Sequence, residues 1–379
     1  MLPFRPLATL AAVAFLGALP SIARGQLNIM CSAPGATCKV LAEEFQKEAG
    51  IKTLIVNTGG RAAFATLAEQ KGRPQSDLWL GGSASGHYRA AKFDLVDTYA
   101  PPTVKELEPW AQQIAEQSKS KSIGVYARVV GVGYNSTLAT QKKLAAPACW
   151  KDLAKPGYAG EVRIPDPSSS GATYSAIAGM SQIFGEDQAF KYLKAMYKAE
   201  AAKKGRGGAD VGAAAPRGAP TSRGAPPMGT NKSTTGSGSK GGKGGKGAAS
   251  ETAESGPVVG SAIAGIGYIS DVVAEAEGGA PVKAVAPCEG VVREVAALSI
   301  VKGARNLDNA KRFVDWALGA KAQALIVKAS RAYPANTAVA SSSLAPKWSD
   351  IKFIDYDSKS ATHRQLTEKW RNEIVGSAQ

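Results

Sequence analysis

Four short loops carry the residues in this chain best suited to chemistry: Cys31-Ser32-Ala33-Pro34, Thr58-Gly59-Gly60, Gly81-Gly82-Ser83 and Ser168-Ser169-Ser170-Gly171. Each follows a short apolar run and precedes a segment with helical periodicity. A helix start exposes backbone N–H groups that no earlier turn satisfies, and the helix dipole adds partial positive charge there. Glycine permits close approach to the backbone, and Ser and Thr hydroxyls supply further donors. Taken singly, each loop reads as an ordinary strand-to-helix turn with a Ser or Thr cap. Converging on one crevice, the four would hold a small anion.

The elements that must position them alternate. Leu27 to Met30, Lys52 to Asn57 and Asp77 to Leu80 read as strands. Lys39 to Ala49, with Val40, Leu41, Ala42 and Phe45 inward and Gly50 as its stop, and Arg61 to Lys71, with Phe64 and Leu67, read as helices. This βαβαβ order predicts an α/β protein with a mostly parallel, doubly wound sheet, whose ligands sit outside the carboxyl ends of the strands. Ile123 to Tyr134, rich in Val and Gly, is long enough to run from one lobe to another. A second lobe would hold the strand Glu161 to Ile164 and the helices Thr173 to Phe184 and Asp187 to Lys198. The second of these helices would bury Phe190, Leu193, Met196 and Tyr197. Ala262 to Ile269 reads as a buried strand. Val295 to Val301 returns the chain, and Asn306 caps a helix with Phe313, Val314, Ala317 and Leu318 on one face.

The first 25 residues read as a secretion signal: Arg5, an apolar run from Leu7 to Leu19, and small residues Ala23-Arg24-Gly25 for cleavage near Gly25. That run is too short to span a membrane, and the residues before Cys31 do not suit lipid attachment. A free exported protein is expected. Four cysteines in an exported chain favour disulfides. Of the three pairings they allow, Cys31–Cys38, which would staple the first loop to its helix, with Cys149–Cys288 is favoured. No C-x-x-C pair supports zinc or thioredoxin-like chemistry.

The formal net charge is +15, but residues 203–246 carry nine basic side chains against Asp210 alone. Without these and the leader's Arg5 and Arg24, about +5 remains, too mild to imply a nucleic-acid partner. Gly205 to Gly256 is built from Gly, Ala, Pro, Ser, Lys and Arg and is expected to be disordered. It reads as a basic tether, a bland insertion, or a stretch read from a displaced coding frame.

Several segments together resemble type II periplasmic solute-binding proteins of ABC importers, in the branch associated with iron(III), phosphorylated sugars and phosphonates. They are Cys31-Ser32-Ala33, Asp77-Leu78-Trp79-Leu80-Gly81-Gly82, Gly131-Val132-Gly133-Tyr134-Asn135 and Cys149-Trp150-Lys151-Asp152-Leu153, then Pro167 to Tyr174, Ala286 to Gly290 and Ile300 to Asn306. The resemblance implies two doubly wound lobes joined by hinge strands that close on a solute. The signal would occupy 1–25, lobe one 26–126, lobe two 127–204 and 257–289, with the insertion at 205–256 and a return to lobe one over 290–379. It also implies a monomer without a cofactor that hands a small anionic solute to a permease in the inner membrane. Carried over by position, Ser32, Thr58, Gly59, Gly60 and Ser83 would be lobe-one contacts. Ser169, Ser170, Gly171, Ala172 and Thr173 would be a lobe-two anion cradle, and Asp271 and Glu289 would read hydroxyls. Where that branch has a His before the Asp, this chain has Ser270. An Arg and a Ser-Gly turn that line the cleft in relatives are replaced by the low-complexity stretch.

Two other readings compete. Iron(III) capture would draw on Tyr174, Asp271 and Glu289 as hard oxygen donors. The paired tyrosines typical of iron capture are missing, so Tyr174 is expected to pack its ring in the first turn of a helix, and His87 to face solvent. An exported hydrolase acting on a phosphate ester would need a nucleophile. No G-x-S-x-G, Walker loop or H-E-x-x-H is present, and Ser118-Lys119-Ser120-Lys121 reads as a polar turn. Two histidines in the whole chain leave little general-base capacity, and Asp271 with Glu289 has no catalytic company.

Overall fold

A computed structural model describes residues 25–158, 161–206, 257–354 and 363–376, with the side chains of 198–206 excepted. The expected signal over 1–25 and most of the expected insertion at 205–256 lie outside the described residues.

The first sheet begins as expected. Strand β1 (Leu27–Ser32) lies between β2 (Thr53–Asn57) and β3 (Leu78–Ser83), all parallel. Helix α1 (Gly35–Ala49) follows β1, α2 (Gly60–Glu69) follows β2, and α3 (Ala84–Lys92) follows β3. Leu41, Ala42 and Phe45 of α1 are buried, and the left-handed Gly50 ends it with its N–H on the Gln46 carbonyl. Helix α4 (Pro109–Gln117) packs on β4 (Ile123–Asn135), the long apolar strand.

Strand β4 organises the molecule. Ile123 to Val129 pairs antiparallel with β8 (Arg293–Ile300), and Tyr126-Ala127 also pairs with the short β9 (Tyr333–Pro334). From Val130 onward the same strand pairs with β6 (Ala264–Tyr268) and β7 (Val282–Val285). The strand changes partners between Val129 and Val130, in mid-run. Its 13 residues reach about 43 Å, enough to serve both halves. At Gly133 the second half closes in on the strand: a Cβ there would stand 2.6 Å from Val259 Cγ2 and 2.8 Å from Val272 Cγ2.

The second half adds α5 (Ser136–Gln141), the short β5 (Val162–Arg163) parallel to β6, then α6 (Gly171–Phe184), α7 (Glu186–Arg206) and α8 (Ile269–Glu277). Phe190, Leu193 and Met196 of α7 are buried, as its period requires. Helices α9 (Leu307–Leu318) and α10 (Ala320–Ser330) return to the first half, where Phe313 meets Phe45 edge-on at 5.0 Å. Helix α11 (His363–Trp370) instead packs on the second half, with the Trp370 ring 5.1 Å from that of Tyr197.

The strand order is β2-β1-β3-β8-β4-β6-β5. The sheet is therefore mixed rather than mostly parallel. Strands β4 and β8 run between the halves and pair antiparallel, so only the β2-β1-β3 and β5-β6 groups keep the parallel pairing of βαβ units. Both disulfides form as expected, Cys31–Cys38 and Cys149–Cys288. Asn306 sits at the start of α9 but makes no side-chain cap. Its backbone N–H and its amide donate instead to the buried Asp77 carboxylate, at 2.9 and 3.1 Å.

Candidate ligand-binding site

Three loops of the first half meet at one point. Gly81 and Gly82 both have φ near +80° (79° and 76°), a conformation glycine adopts without strain. A Cβ on Gly82 would lie 3.2 Å from Ser32 Cβ and 3.6 Å from Gly60 Cα, and one on Gly81 would strike the Ala33 backbone at 2.6 Å. Ser32 and Gly60 are thus brought together, with Gly59 as the residue before α2 and Thr58 tied to β1 by its N–H on the Cys31 carbonyl, 2.9 Å. Ser83 starts α3, and its hydroxyl accepts from the Ser85 N–H.

A buried relay lies behind these loops. His87 is fully buried rather than solvent-facing, because Ala84, His87 and Ala90 share the inward face of α3. Its ring stacks on Trp79 at 3.8 Å. Nε2 bonds to the Gly81 carbonyl at 2.8 Å and Nδ1 to the Ser299 hydroxyl at 2.7 Å. A carbonyl only accepts, so Nε2 carries the proton. Burial pushes the His87 pKa down from 6.5 to about 4, the Gly81 bond opposing it, which keeps the ring neutral at pH 7. Trp79 in turn donates its indole N–H to Ser32 Oγ at 3.0 Å.

In the second half, Ser170 caps α6. Its hydroxyl accepts from the Thr173 N–H at 3.2 Å and from the Thr173 hydroxyl at 3.1 Å. The cradle is narrower than the sequence implies: the N–H groups of Ser169 and Ser170 both donate to the Asp166 carbonyl. The Ser169 hydroxyl does the same. The N–H groups of Gly171 and Ala172 have no partner among the described residues.

Sheet register connects the two groups. Ser83 lies opposite Ala296 of β8, and Glu294, two residues away and about 7 Å along the strand, lies opposite Arg128 of β4. Val130, two further along β4, lies opposite Tyr268 of β6. Side chains two apart on a strand, and those directly opposite, share a face. One sheet face therefore runs from Ser83 through Ala296, Glu294 and Arg128 to Tyr268. Tyr268 donates its hydroxyl to Glu294 Oε2 at 2.7 Å, the Ser175 hydroxyl of α6 reaches the other carboxylate oxygen, and a Cβ on Gly171 would lie 3.4 Å from Tyr268 Oη. Burial, with the Glu294 charge beside it, drives the Tyr268 phenol well above its ordinary pKa, so it stays a donor.

The two expected hydroxyl-reading carboxylates separate. Asp271, in the first turn of α8, accepts from Arg128 Nη2 at 2.7 and 2.9 Å. Glu289 accepts from the backbone N–H of Trp150 at 2.7 Å and of Lys151 at 3.3 Å. It caps a helical turn beside the Cys149–Cys288 bridge. Cys149, Cys288 and Glu289 form a tight group, but the bonded sulfurs are not thiolates for a metal. A second carboxylate, Glu294, lies opposite Arg128 across β4 and β8; the sequence singled out neither residue. Tyr174 packs its ring 4.4 Å from that of His363. Ser118 is buried and donates to backbone carbonyls, while Lys121 pairs with Asp94, so neither forms a nucleophile–base couple.

Two halves built on a shared, partner-switching strand, with donor-rich loops at the strand ends, define a two-lobed solute receptor of the type II periplasmic binding protein fold. The chain belongs to the bacterial extracellular solute-binding protein family, whose pattern matches residues 40–352. The periplasmic binding protein AfuA of Actinobacillus pleuropneumoniae, solved with exogenous fructose-6-phosphate bound, is 30% identical. That match covers 93% of this chain and 99% of AfuA, with a TM-score of 0.63. The periplasmic binding protein P5PA is 27% identical over 92% of this chain and 99% of its own, TM-score 0.64. An uncharacterised protein of Haemophilus influenzae is 31% identical, covering 93% of this chain and 91% of that protein. Iron-bound HitA of Pseudomonas aeruginosa shares the fold, at 16% identity and a TM-score of 0.60. Membership makes this chain the periplasmic solute-binding component of an ABC importer and fits a non-enzymatic role. Among the described residues no helix is long and apolar enough to cross a membrane.

Proposed function

We propose that this protein captures a small anionic solute, a phosphorylated sugar or a phosphonate, between its two halves and delivers it to a permease. The supporting observation is the polarity of two hydroxyls. Ser32 accepts from Trp79, and Ser170 accepts twice from Thr173, so each keeps its own hydrogen to donate outward. With the Gly171 and Ala172 amides, the gap is rich in donors, which complements an anion. AfuA, solved with fructose-6-phosphate, supports the sugar-phosphate member of the pair.

A thermal-shift and calorimetric panel of fructose 6-phosphate, aminoethylphosphonate, inorganic phosphate and ferric citrate tests the reading. Ser32→Ala and Ser170→Ala should each weaken binding about 10- to 150-fold, as loss of a charge-assisted hydrogen bond requires. A response to ferric citrate alone would move the assignment to iron. That second reading would draw on Tyr174, Asp271 and Glu289, of which Asp271 is engaged by Arg128 and Glu289 by the amides after Cys149. Turnover of a phosphate ester would instead favour a hydrolase.

A further inference from the structure

We propose that His87 is a positioning residue for solute capture: from behind the first-half loops it fixes the Gly81 turn through one ring nitrogen and the Ser32 hydroxyl through the Trp79 indole. This rests on the anionic-solute reading and deepens it. Trp79 of β3 and Ser299 of β8 lie directly opposite one another, so their side chains share a face of the sheet. His87, on the inward face of α3, is laid across the pair. Its ring is parallel to the indole to within 16°, and the Ser299 hydroxyl behind it is bonded to that of buried Ser122 at 2.8 Å. Packing alone would be served by an apolar side chain at this position. A histidine with no exposed surface gives up the hydration of both ring nitrogens, which is offset only where both are bonded. Here one bond anchors the ring to β8 and the other holds the Gly81 carbonyl.

The indole has little freedom to tilt. Trp79 is fully buried, His87 covers one of its faces, and a Cβ on Gly86 would lie 3.1 Å from Cη2 at its rim. Its N–H is thereby aimed at Ser32 Oγ, 3.0 Å away. A serine hydroxyl has one hydrogen and two lone pairs, and an indole can only donate. Trp79 therefore occupies a lone pair and leaves the Ser32 hydrogen to turn outward. Gly82, where a Cβ would stand 3.2 Å from Ser32 Cβ, directly follows the carbonyl that His87 holds. His87 thus reaches both loops without touching solute. Donors fixed in advance lose less freedom on binding and so bind more tightly.

Three substitutions separate the two arms. His87→Phe keeps a ring to stack on Trp79 and loses the Gly81 bond, whereas His87→Gln keeps a donor for Gly81 and loses the stack. Trp79→Phe keeps an aromatic ring and removes the indole N–H. Calorimetry on the full chain with fructose 6-phosphate, aminoethylphosphonate and inorganic phosphate measures each in the wild-type and Ser32→Ala backgrounds. With a solute that binds the wild type, Trp79→Phe and His87→Gln should each weaken binding about 3- to 10-fold, the worth of an ordinary hydrogen bond. In the Ser32→Ala background the same changes should cost less than about twofold, because the hydroxyl they orient is gone. His87→Phe should cost about 3- to 10-fold in both backgrounds, since its arm ends on Gly81. A merely structural role would give each variant the same loss in either background. Equal losses for Trp79→Phe and for His87→Gln with and without Ser32 would therefore overturn the inference, as would unchanged affinity in all three variants. Where a His87 variant fails to fold, the Trp79→Phe cycle decides. Those outcomes leave the anionic-solute reading standing, whereas failure of the wild type to bind any of the three anions would overturn that reading and this inference with it.

Discussion

Acidification should unfold this protein partly through one residue. His87 is buried and neutral in the native chain, its pKa near 4, whereas an unfolded histidine titrates near 6.5. Above pH 6.5 neither state binds the proton, and the difference contributes nothing. As the pH falls from 6.5 towards 4, the unfolded chain takes up a proton that the native ring refuses, so stability is lost through that window. At pH 4 the loss amounts to about 3 kcal/mol, at about 1.4 kcal/mol per pH unit. This is a large share of the 5–15 kcal/mol expected of a folded domain.

Carboxylates also weaken the native state in acid, so the measurement has to isolate the ring. Urea unfolding of the wild type and of His87→Gln at intervals from pH 7.5 to pH 4 does this. Gln keeps a donor for the Gly81 carbonyl and cannot ionise. The variant should begin less stable at pH 7, having lost the stack on Trp79, and the gap should close or reverse as the pH falls. Equal slopes for the two proteins would refute the reasoning, because they would mean that His87 binds its proton as readily folded as unfolded.

Asp77→Ala should lower stability by about 2–4 kcal/mol in the same assay, since the buried carboxylate accepts four N–H bonds from Asn28 and Asn306. Less than about 1 kcal/mol would show those donors finding other partners. Removing Cys149–Cys288, which spans 139 residues, should reduce stability by about 5 kcal/mol on the chain-entropy account, against about 2.5 kcal/mol for Cys31–Cys38, which spans 7. The reverse order in denaturant titrations of the two double-alanine variants would reject that account. Gly82→Ala should weaken solute binding more than tenfold, because a methyl at φ +76° enters the point where Ser32 and Gly60 meet. Calorimetry with unchanged affinity would remove that point from the site.

Much of this was legible in the sequence because it is local. The run from Leu27 to Met30, the Gly50 stop and the apolar stripe of α9 fix their elements through neighbours a few positions away. The two cysteine pairs also close as read. What escaped was set by distant register. Arg128 lies in an apolar strand and finds Asp271 only 143 positions later, and no spacing along the chain announces that encounter. Asp271 and Glu289 read as a pair, yet one turns to Arg128 and the other to the amides after Cys149, because β7 and the disulfide place them on different elements. His87 had a signal that went unused: Ala84, His87 and Ala90 repeat every three residues, a spacing that puts the ring on the inward face of its helix.

The position of Arg128 ties the two halves to each other. It stands two residues before the point where β4 exchanges β8 for β6, and Glu294 lies directly opposite on the other crossing strand. Its ion pair runs to α8, an element of the second half, while its strand neighbours belong to the first. Any bending of the two halves about Val129 and Val130 must pivot close to that pair. A ligand seated on Arg128 and Asp271 would touch the crossing itself, and one also held by Ser32 and Ser170 would touch both sides of it. Ligand favours the closed form only through contacts that the open form cannot make. In a bend about Val129 and Val130, contacts near the pivot would change little and those of the loops would change most. On this reading the drive for closure belongs to the loops. Arg128→Met should accordingly leave the closure seen by small-angle scattering with a saturating ligand intact, and Ser32→Ala should diminish it. A loss of closure in Arg128→Met at saturation would place that ion pair within the drive for closure and refute the argument.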